Sequence, residues 1–311
     1  LLFKMQLISL LAGILVQLFK LFVTTQSKYE RPEYPALYKA ANEASISSQK
    51  NYLTGLKWYL WLSIVAALLA VYVKESKEAG IVAAIFFLAI IFLTIYKIWY
   101  NGRAVAESVK TRTWRFIMRA EPYFDSENIN TVKKTFCADL NDILIQNQEL
   151  GSFLTHPSMT EETISDSMIE IRKYSYDDRL NYYISNRINE QRNWYFTKAS
   201  DNKKLAKNWF IGLISTHAIV IVLLLIEIAY EFYFLPTAAI IVAGSSILSW
   251  TQIKRFQDLA TSYSLTAHEI GILKSQSFEV VGEKSLSDFV KDAENAFSRE
   301  HTQWVARKDK H

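Results

Sequence analysis

The chain has 311 residues with a net charge of +4, and 21% of its residues are charged. This small positive balance argues against a surface for nucleic acid polymers, and one cysteine excludes an internal disulfide framework or a multi-cysteine metal site. We expect that residue, Cys137, to be a small buried apolar side chain. Apolar residues gather into long runs while glycine and proline are scarce, which predicts an all-α protein of long helices.

The first predicted element is an apolar helix within residues 1–27. Its polar residues recur at steps of three and four, which places them in one narrow stripe. Two interpretations stay open: a helix at the membrane interface, or a spanning helix whose stripe lines a pore. A cleaved signal peptide is not favoured, because no small-residue cleavage pattern follows. The candidate pore-lining residues of this helix are Gln6, Ser9, Gly13, Gln17, Lys20 and Thr24.

Four further apolar runs are long enough, or nearly so, to cross the roughly 30 Å hydrocarbon core of a bilayer. They pair into two hairpins, because the connections 74–79 and 231–234 are too short for anything but tight turns. Lysine and arginine residues lie beside the open ends of both hairpins, so the positive-inside rule places these ends in the cytoplasm. The four runs are Trp58–Val73, Gly80–Trp99, Trp209–Tyr230 and Leu235–Trp250.

A tryptophan marks the cytoplasmic end of each run, at Trp58, Trp99, Trp209 and Trp250. The indole ring prefers the headgroup level of a bilayer, so we predict that these four residues are membrane-interface anchors. The first pair has the same separation along the chain as the second pair. Equal spacing predicts that the hairpin module is duplicated.

Polar residues inside the second hairpin have more than one interpretation. His217 either lines a water path or makes a hydrogen bond within the helix bundle. Glu227 either lies at the outer interface or joins a cation-attracting ring in an oligomer. Both are therefore candidate pore-lining residues. Ser245 and Ser249 are expected at close contacts between helices.

Cytoplasmic helices are predicted outside the hairpins. One helix continues from the first hairpin until Pro122, and a helical connector covers residues 125–158 with a break at His156-Pro157. Apolar residues recur through the connector with helical spacing. Such a stripe is more often intramolecular core than a subunit interface. Its residues are Ile129, Val132, Phe136, Leu140, Ile143 and Leu144.

Basic and aromatic residues are combined after the first hairpin. Arginine forks and an aromatic face could bind a phosphate-bearing ligand such as a nucleotide. Alternatively, the arginines contact anionic headgroups or pair with acidic residues such as Glu107 and Glu121. The set comprises Arg103, Arg112, Trp114, Arg115, Arg119 and Tyr123.

Two stretches of the chain carry a family resemblance. The first contains Ala106-Glu107-Ser108, Thr113-Trp114-Arg115, Arg119-Ala120 and Pro122-Tyr123-Phe124, and the second contains Asp178-Arg179, Tyr182-Tyr183, Trp194-Tyr195, Ala293-Glu294 and Trp304. Together they resemble two tandem domains of the SLATT family, the two-transmembrane effector domains associated with SMODS nucleotidyltransferases and SLOG sensors. The predicted organisation is a helix at 1–27, a first domain at 28–124, the connector at 125–158 and a second domain at 159–311.

The resemblance implies a membrane effector of a prokaryotic antiphage or conflict system. Such a protein forms a homo-oligomer and perforates or disrupts the bacterial inner (cytoplasmic) membrane, causing cell suicide. The soluble parts and the C-terminus would then be cytoplasmic, and the trigger would be a nucleotide second messenger or a separate sensor protein. The alternative is a non-conducting scaffold or sensor that anchors a soluble partner. The residues show no catalytic signature, metal-ligand spacing or cofactor motif, so they predict neither an enzyme nor a cofactor or metal site.

Overall fold

The computed structural model describes residues 33–71, 81–82, 85, 99–124, 128–147, 162–230 and 235–308, with the backbone alone at 99–101 and 299–308. The described residues are mainly helical, and they contain no β-strand. The prediction of an all-α protein is confirmed. The candidate pore-lining residues Gln6, Ser9, Gly13, Gln17, Lys20 and Thr24 lie outside the described residues.

The described part of the chain contains nine α-helices. A π-helical turn at Ile184–Asn189 joins α5 to α6, and a 3₁₀ turn at Ser277–Glu279 follows α8. The helices are α1 (Ala36–Ala70), α2 (Trp99–Ile117), α3 (Ile129–Gln146), α4 (Asp166–Lys173), α5 (Tyr176–Tyr183), α6 (Glu190–Tyr230), α7 (Thr237–Lys254), α8 (Phe256–Gln276) and α9 (Gly282–Lys308).

The chain folds as two compact units. The hairpin unit contains the described residues 52–71, 81–82, 85, 200–230 and 235–260. The helical unit contains the described residues 33–51, 99–124, 128–147, 162–199 and 261–308. Each unit therefore draws on residues from both halves of the sequence, and the domain boundaries predicted above stay a prediction.

In the hairpin unit, α6 and α7 run antiparallel. Trp209 near the middle of α6 packs against Trp250, with ring centroids 6.3 Å apart. Further along α6, Thr216 faces Gly244, where an added Cβ would lie 3.1 Å from the threonine Oγ1. The contacting pairs occur in opposite order along the two helices, which is the geometry of the predicted second hairpin. Gly244 permits this close approach, whereas Ser245, expected at a helix contact, is exposed.

Two helical segments among the described residues are long and apolar enough to cross a membrane: α1, and the continuous run Tyr176–Tyr230 that includes α6. The second contains the whole predicted run Trp209–Tyr230, and α1 contains residues 58–70 of the run predicted at Trp58–Val73. The run predicted at Leu235–Trp250 is largely within α7, the partner of α6 in the hairpin. Most of the run predicted at Gly80–Trp99 lies outside the described residues.

The core of the helical unit forms where α2 packs against α3, α4 and α9. Phe116 of α2 contacts Phe136 of α3, with ring centroids 4.6 Å apart. Val132, Phe136 and Leu140 of the predicted connector stripe are buried, and Ile143 packs against the same core. The stripe is therefore mainly intramolecular core, although its end residues Ile129 and Leu144 are exposed.

Cys137 on α3 is exposed, so the expectation that it is buried is wrong. The physical reason is its position on the helix. It follows the buried Phe136 by one residue, and consecutive residues on an α-helix point in directions about 100° apart.

Helix α2 ends at Ile117, earlier than the predicted end at Pro122. Arg119 adopts a left-handed conformation with φ +55°, and the Ala120 N–H donates to the Arg115 carbonyl over 2.9 Å. This six-residue closure is the Schellman arrangement that terminates helices, usually with glycine in the left-handed position. A non-glycine residue there costs roughly 1–2 kcal/mol, which the contacts of Arg119 must offset.

We expect Gly102→Ala to destabilise the helical unit. A Cβ at this position would lie 3.0 Å from the Ala41 carbonyl oxygen and 3.2 Å from the Ser45 nitrogen, and backbone atoms cannot move aside as a flexible side chain can. Overpacking of this kind costs about 1–3 kcal/mol, read as a lower midpoint of thermal unfolding. Gly271→Ala is the matched control, because its Cβ would meet Arg192 at an ordinary 3.5 Å. Equal midpoints for the two variants would contradict this packing.

Candidate functional site

The outward face of α6 carries one polar group within an apolar stripe. Phe210, Ile214, Ile221 and Leu224 are exposed at helical spacing, and His217 lies among them. The imidazole Nδ1 is 2.8 Å from the Leu213 carbonyl oxygen. A carbonyl can only accept, so Nδ1 must carry the proton, and the Nε2 of the neutral ring is left as an acceptor.

The environment of His217 distinguishes its two predicted roles. Its hydrogen bond is to its own helix one turn earlier, not to another helix of the bundle. Among the described residues, Nε2 has no hydrogen-bond partner. A polar atom in this position is costly in hydrocarbon unless water or a polar group reaches it. Glu227, on the same helix, is half-buried. The roles proposed for both residues stay predictions.

Three of the four predicted tryptophan anchors are described with side chains. Trp58 is 51% exposed, as an anchor must be. Trp209 and Trp250 are 1% and 3% exposed because they pack against each other inside the hairpin unit. Lys57 and Lys254 place their Nζ atoms 5.7 and 5.8 Å from the Trp250 ring centroid. These two indoles pack against each other within the hairpin, and their role as interface anchors stays a prediction. The side chain of Trp99 lies outside the described residues.

Two buried arginines cap the end of α2. Arg172 donates from Nη1 to the Phe116 carbonyl and from Nη2 to the Tyr123 carbonyl, the latter over 2.8 Å. Arg179 donates to the Met118 carbonyl over 3.0 Å and pairs with Glu283. Carbonyls at a helix C-terminus lack intrahelical donors and carry partial negative charge, so guanidinium groups stabilise them.

The most buried ionic contact lies between Arg187 of the π-helical turn and Glu294 of α9. The two residues are 1% and 0% exposed, and they form two hydrogen bonds of 2.8 and 2.7 Å. The Tyr183 hydroxyl donates to the same carboxylate over 2.9 Å. Burial alone would lower the pKa of Arg187, but the charge and hydrogen bonds of Glu294 raise it overall. The arginine therefore stays charged.

Aromatic rings complete the surroundings of Arg187. Its guanidinium carbon lies 4.8 Å from the centroid of Phe297 and 5.9 Å from that of Trp114. Trp114 is fully buried and donates from Nε1 to the Tyr34 hydroxyl over 3.1 Å. The pair thus joins α9, the π-helical turn and α2 in one polar core.

The basic and aromatic residues proposed as a ligand-binding set do not converge on one open site. Trp114 is buried, so it presents no free ring face, and Tyr123 is buried with its hydroxyl bonded to Asp139. The arginines make separate internal contacts: Arg103 with Glu107 at 2.6 Å, Arg112 with Asp139 at 3.2 Å, Arg115 with Asn295 at 2.6 Å, and Arg119 with the Arg172 carbonyl at 2.8 Å. These contacts favour pairing, the alternative interpretation, although Glu121 pairs with Lys291 instead.

The charged core includes residues that the sequence did not indicate as a site. Arg179, Tyr183 and Glu294 are among the family-like residues, but nothing in the sequence shows that they meet. Arg187 lies four residues after Tyr183, which is a helical spacing and the available signal. In the part of the chain that the structure describes, no group of three or more His, Cys, Asp or Glu residues could hold a metal ion.

An all-helical chain with an apolar hairpin and two segments able to span a bilayer is a helical membrane protein. Two family models match it: SMODS and SLOG-associating 2TM effector domain 3 over residues 35–180, and SMODS and SLOG-associating 2TM effector domain 1 over residues 183–304. The chain belongs to the SLATT family, with two such effector domains in tandem. No curated protein and no solved structure matches it.

We expect Glu294→Gln to destabilise the protein by about 3–5 kcal/mol, because it leaves the Arg187 charge buried without a counter-charge. Thermal and denaturant unfolding of the detergent-solubilised chain measure this loss. The double variant Arg187→Met with Glu294→Leu should recover most of it, since it removes both charges. Asp258→Asn is the control: it breaks an exposed pair with Arg255, which contributes less than about 1 kcal/mol. Equal losses of unfolding free energy for Glu294→Gln and Asp258→Asn would contradict the larger contribution that we expect from the buried pair.

The ammonium group of Lys110 on α2 should make the stability of the folded protein depend on pH. Burial lowers the pKa of Lys110 to about 8, with Arg187 and Arg103 adding to this and Glu107 opposing it. The unfolded chain binds the proton of Lys110 more tightly than the folded chain does. The loss of folding free energy that this causes is therefore fully present below pH 8, and it disappears as pH rises to the ordinary lysine pKa, 10.5.

We therefore expect Lys110→Met to be more stable than the wild type at pH 7, by about 1–3 kcal/mol. The difference should shrink as pH rises from 8 towards 10.5, measured by denaturant unfolding at each pH. Lys284→Met, at an exposed lysine of the same unit, controls for the loss of one positive charge. A difference between Lys110→Met and wild type that does not change with pH would contradict a buried ammonium group.

Proposed function

We propose that this SLATT protein is a membrane effector that assembles with copies of itself and permeabilises the bacterial inner membrane, in defence against phage and at the cost of the cell. The single observation that supports permeabilisation is the position of His217. Its Nε2 acceptor lies on the outward, otherwise apolar face of a helix that is long and apolar enough to span a bilayer.

The chemistry of this acceptor favours water on that face. Lipid tails offer no hydrogen-bond donor, so an uncovered histidine would be destabilising there. Two copies of the same tautomer cannot satisfy each other directly, because each presents an acceptor. Water between assembled copies supplies the donor, and a continuous row of such waters is a conduction path. The polar stripe from Gln6 to Thr24, known from sequence alone, would extend that path.

The orientation that we propose places the helical unit and the C-terminus in the cytoplasm, as the lysines and arginines beside the hairpins favour. The helical unit would then receive the activating signal, from a small molecule such as a nucleotide or from a separate sensor protein. The alternative function, a non-conducting scaffold, would use the same hairpins as anchors and the same helical unit to hold a soluble partner.

We expect purified protein to release carboxyfluorescein from liposomes as the protein-to-lipid ratio rises. His217→Leu should reduce release by about tenfold, because it removes the polar group and leaves an apolar stripe. Its matched control is His268→Leu, at an exposed histidine of α8 in the helical unit, which should release dye like the wild type. Gln17→Leu and Lys20→Leu test the N-terminal stripe in the same assay.

Cross-linking separates conduction from assembly. A His217→Cys variant in a Cys137→Ser background, treated with copper phenanthroline as the oxidant, should form disulfide-linked dimers in the membrane if this face meets another copy. Liposomes that remain intact at high density, while the protein is demonstrably assembled, would reject the pore and support the scaffold. Equal release from the wild type and His217→Leu would exclude this face as the conduction path.

A further inference from the structure

A shallow, open cleft of about 410 Å³ lies on the surface beside α5 and the π-helical turn, and most of its lining residues are exposed. None of the residues around it belongs to the candidate sites predicted from the sequence. It lies within the helical unit. Its lining residues are Tyr174, Asp178, Asn181, Tyr182, Ser185 and Asn186.

Two tyrosine rings form the aromatic wall of the cleft. Tyr174 and Tyr182 meet edge to face, with ring centroids 6.2 Å apart and an interplanar angle of 78°. Tyr182 is held from behind by Trp114, 6.0 Å away between centroids. The two rings come from different elements, since Tyr174 ends α4 and Tyr182 belongs to α5. A fixed aromatic face of this kind attracts cations through its negative π-cloud.

A fixed carboxylate faces the same space. Asp178 accepts a hydrogen bond at Oδ2 from the Ser175 hydroxyl over 2.6 Å, and its backbone N–H donates back to that hydroxyl oxygen over 3.2 Å. This reciprocal contact at the start of α5 orients the side chain. Its second oxygen, Oδ1, makes no hydrogen bond to any residue that the structure describes, so it remains available to an incoming donor.

The rest of the lining is neutral. Asn186 donates from Nδ2 to the Tyr182 carbonyl over 3.1 Å, which leaves its Oδ1 as an acceptor, and Asn181 and Ser185 add polar groups without charge. No lysine or arginine lines the cleft. An anion would meet the Asp178 carboxylate without any counter-charge, whereas a cation would meet a carboxylate, acceptor oxygens and aromatic faces together.

We propose that this cleft binds a small organic cation, an ammonium or guanidinium group that carries alkyl substituents. The charge is set against Asp178 and the substituents contact Tyr174 and Tyr182. A free amine, a lipid headgroup and a basic side chain share this chemistry. The bound group would contact the same π-helical turn that holds Arg187 on its buried side. The binding itself does not depend on the proposed permeabilising function.

Calorimetric titration of the full detergent-solubilised chain tests the proposal. Choline is the cationic probe, and its neutral isostere 3,3-dimethylbutan-1-ol has the same shape without the charge. Choline should bind saturably and at least about tenfold more tightly than the isostere, because the attraction is electrostatic. Inorganic phosphate should not bind at this cleft. Equal binding of choline and the isostere, or competition of phosphate with choline, would overturn the proposal.

Two variants and one matched control locate the site. Asp178→Asn keeps the contact with Ser175 but removes the charge, and Tyr174→Leu keeps apolar volume but removes the π-face. Each should weaken choline binding by about tenfold. Asp177→Asn changes an exposed carboxylate in the same helical turn that does not line the cleft, and it should bind choline like the wild type. Unchanged binding in Asp178→Asn or Tyr174→Leu, with the thermal midpoint preserved, would refute the site.

A competing ligand and a change of lipid distinguish the three possible sources of the cation. N-acetyl-argininamide that displaces choline indicates a basic side chain. Weaker choline binding in phosphatidylcholine nanodiscs than in phosphatidylglycerol nanodiscs indicates a lipid headgroup. Choline binding that is equally tight in both nanodiscs and is not displaced by the arginine derivative indicates a soluble ammonium ligand. Each of these results supports the cation site, and absence of saturable choline binding in every preparation overturns it.

Discussion

The charge of Arg187 is the constraint on which the helical unit depends. A guanidinium group removed from water is tolerated when a carboxylate and hydrogen bonds replace the lost hydration. Glu294 supplies the carboxylate, and Trp114 and Phe297 supply ring faces. The π-helical turn and α9 are far apart in sequence, so the ion pair forms once these two elements have met. Arg187 and Glu294 belong to the domain matched at 183–304 and Trp114 to the domain matched at 35–180, so the ring contact between Arg187 and Trp114 brings residues of both domains into one core.

The residues that carry the family resemblance have a structural explanation. Trp114, Tyr123, Arg179, Tyr183 and Glu294 are buried, and each is hydrogen-bonded within the chain. Tyr183 donates to Glu294, Arg179 to the Met118 carbonyl, Trp114 to the Tyr34 hydroxyl and Tyr123 to Asp139. Their chemical character suggests ligand binding when they are considered as a sequence, because arginine and aromatic residues also form phosphate and base sites. In the folded chain these groups are already occupied. The family pattern therefore describes how the helices of the helical unit pack together.

Hydropathy and charge predicted the helical class, the antiparallel α6–α7 hairpin and the buried face of α3, because each depends on a periodic pattern within a short segment. The remaining features depend on partners distant in sequence. Helix α2 ends early, just before the left-handed Arg119. Arg172 and Arg179, more than fifty residues later in the chain, donate hydrogen bonds to the carbonyls at this end of the helix. Trp209 and Trp250 face each other because two helices meet there, which an interfacial preference for tryptophan cannot reveal.

The two units treat polar groups differently, and this difference separates structure from function. In the helical unit, Arg172, Arg179 and Arg187 donate to carbonyls or carboxylates of the same chain, so these interactions stabilise the fold. On the outward face of α6, the hydrogen bond within the helix uses one nitrogen of His217 and leaves the other open. A hydrogen-bond acceptor without a donor on an apolar helix face does not stabilise the isolated chain. It becomes favourable when water held between copies donates to it, and this requirement is the basis of the assembly that we propose.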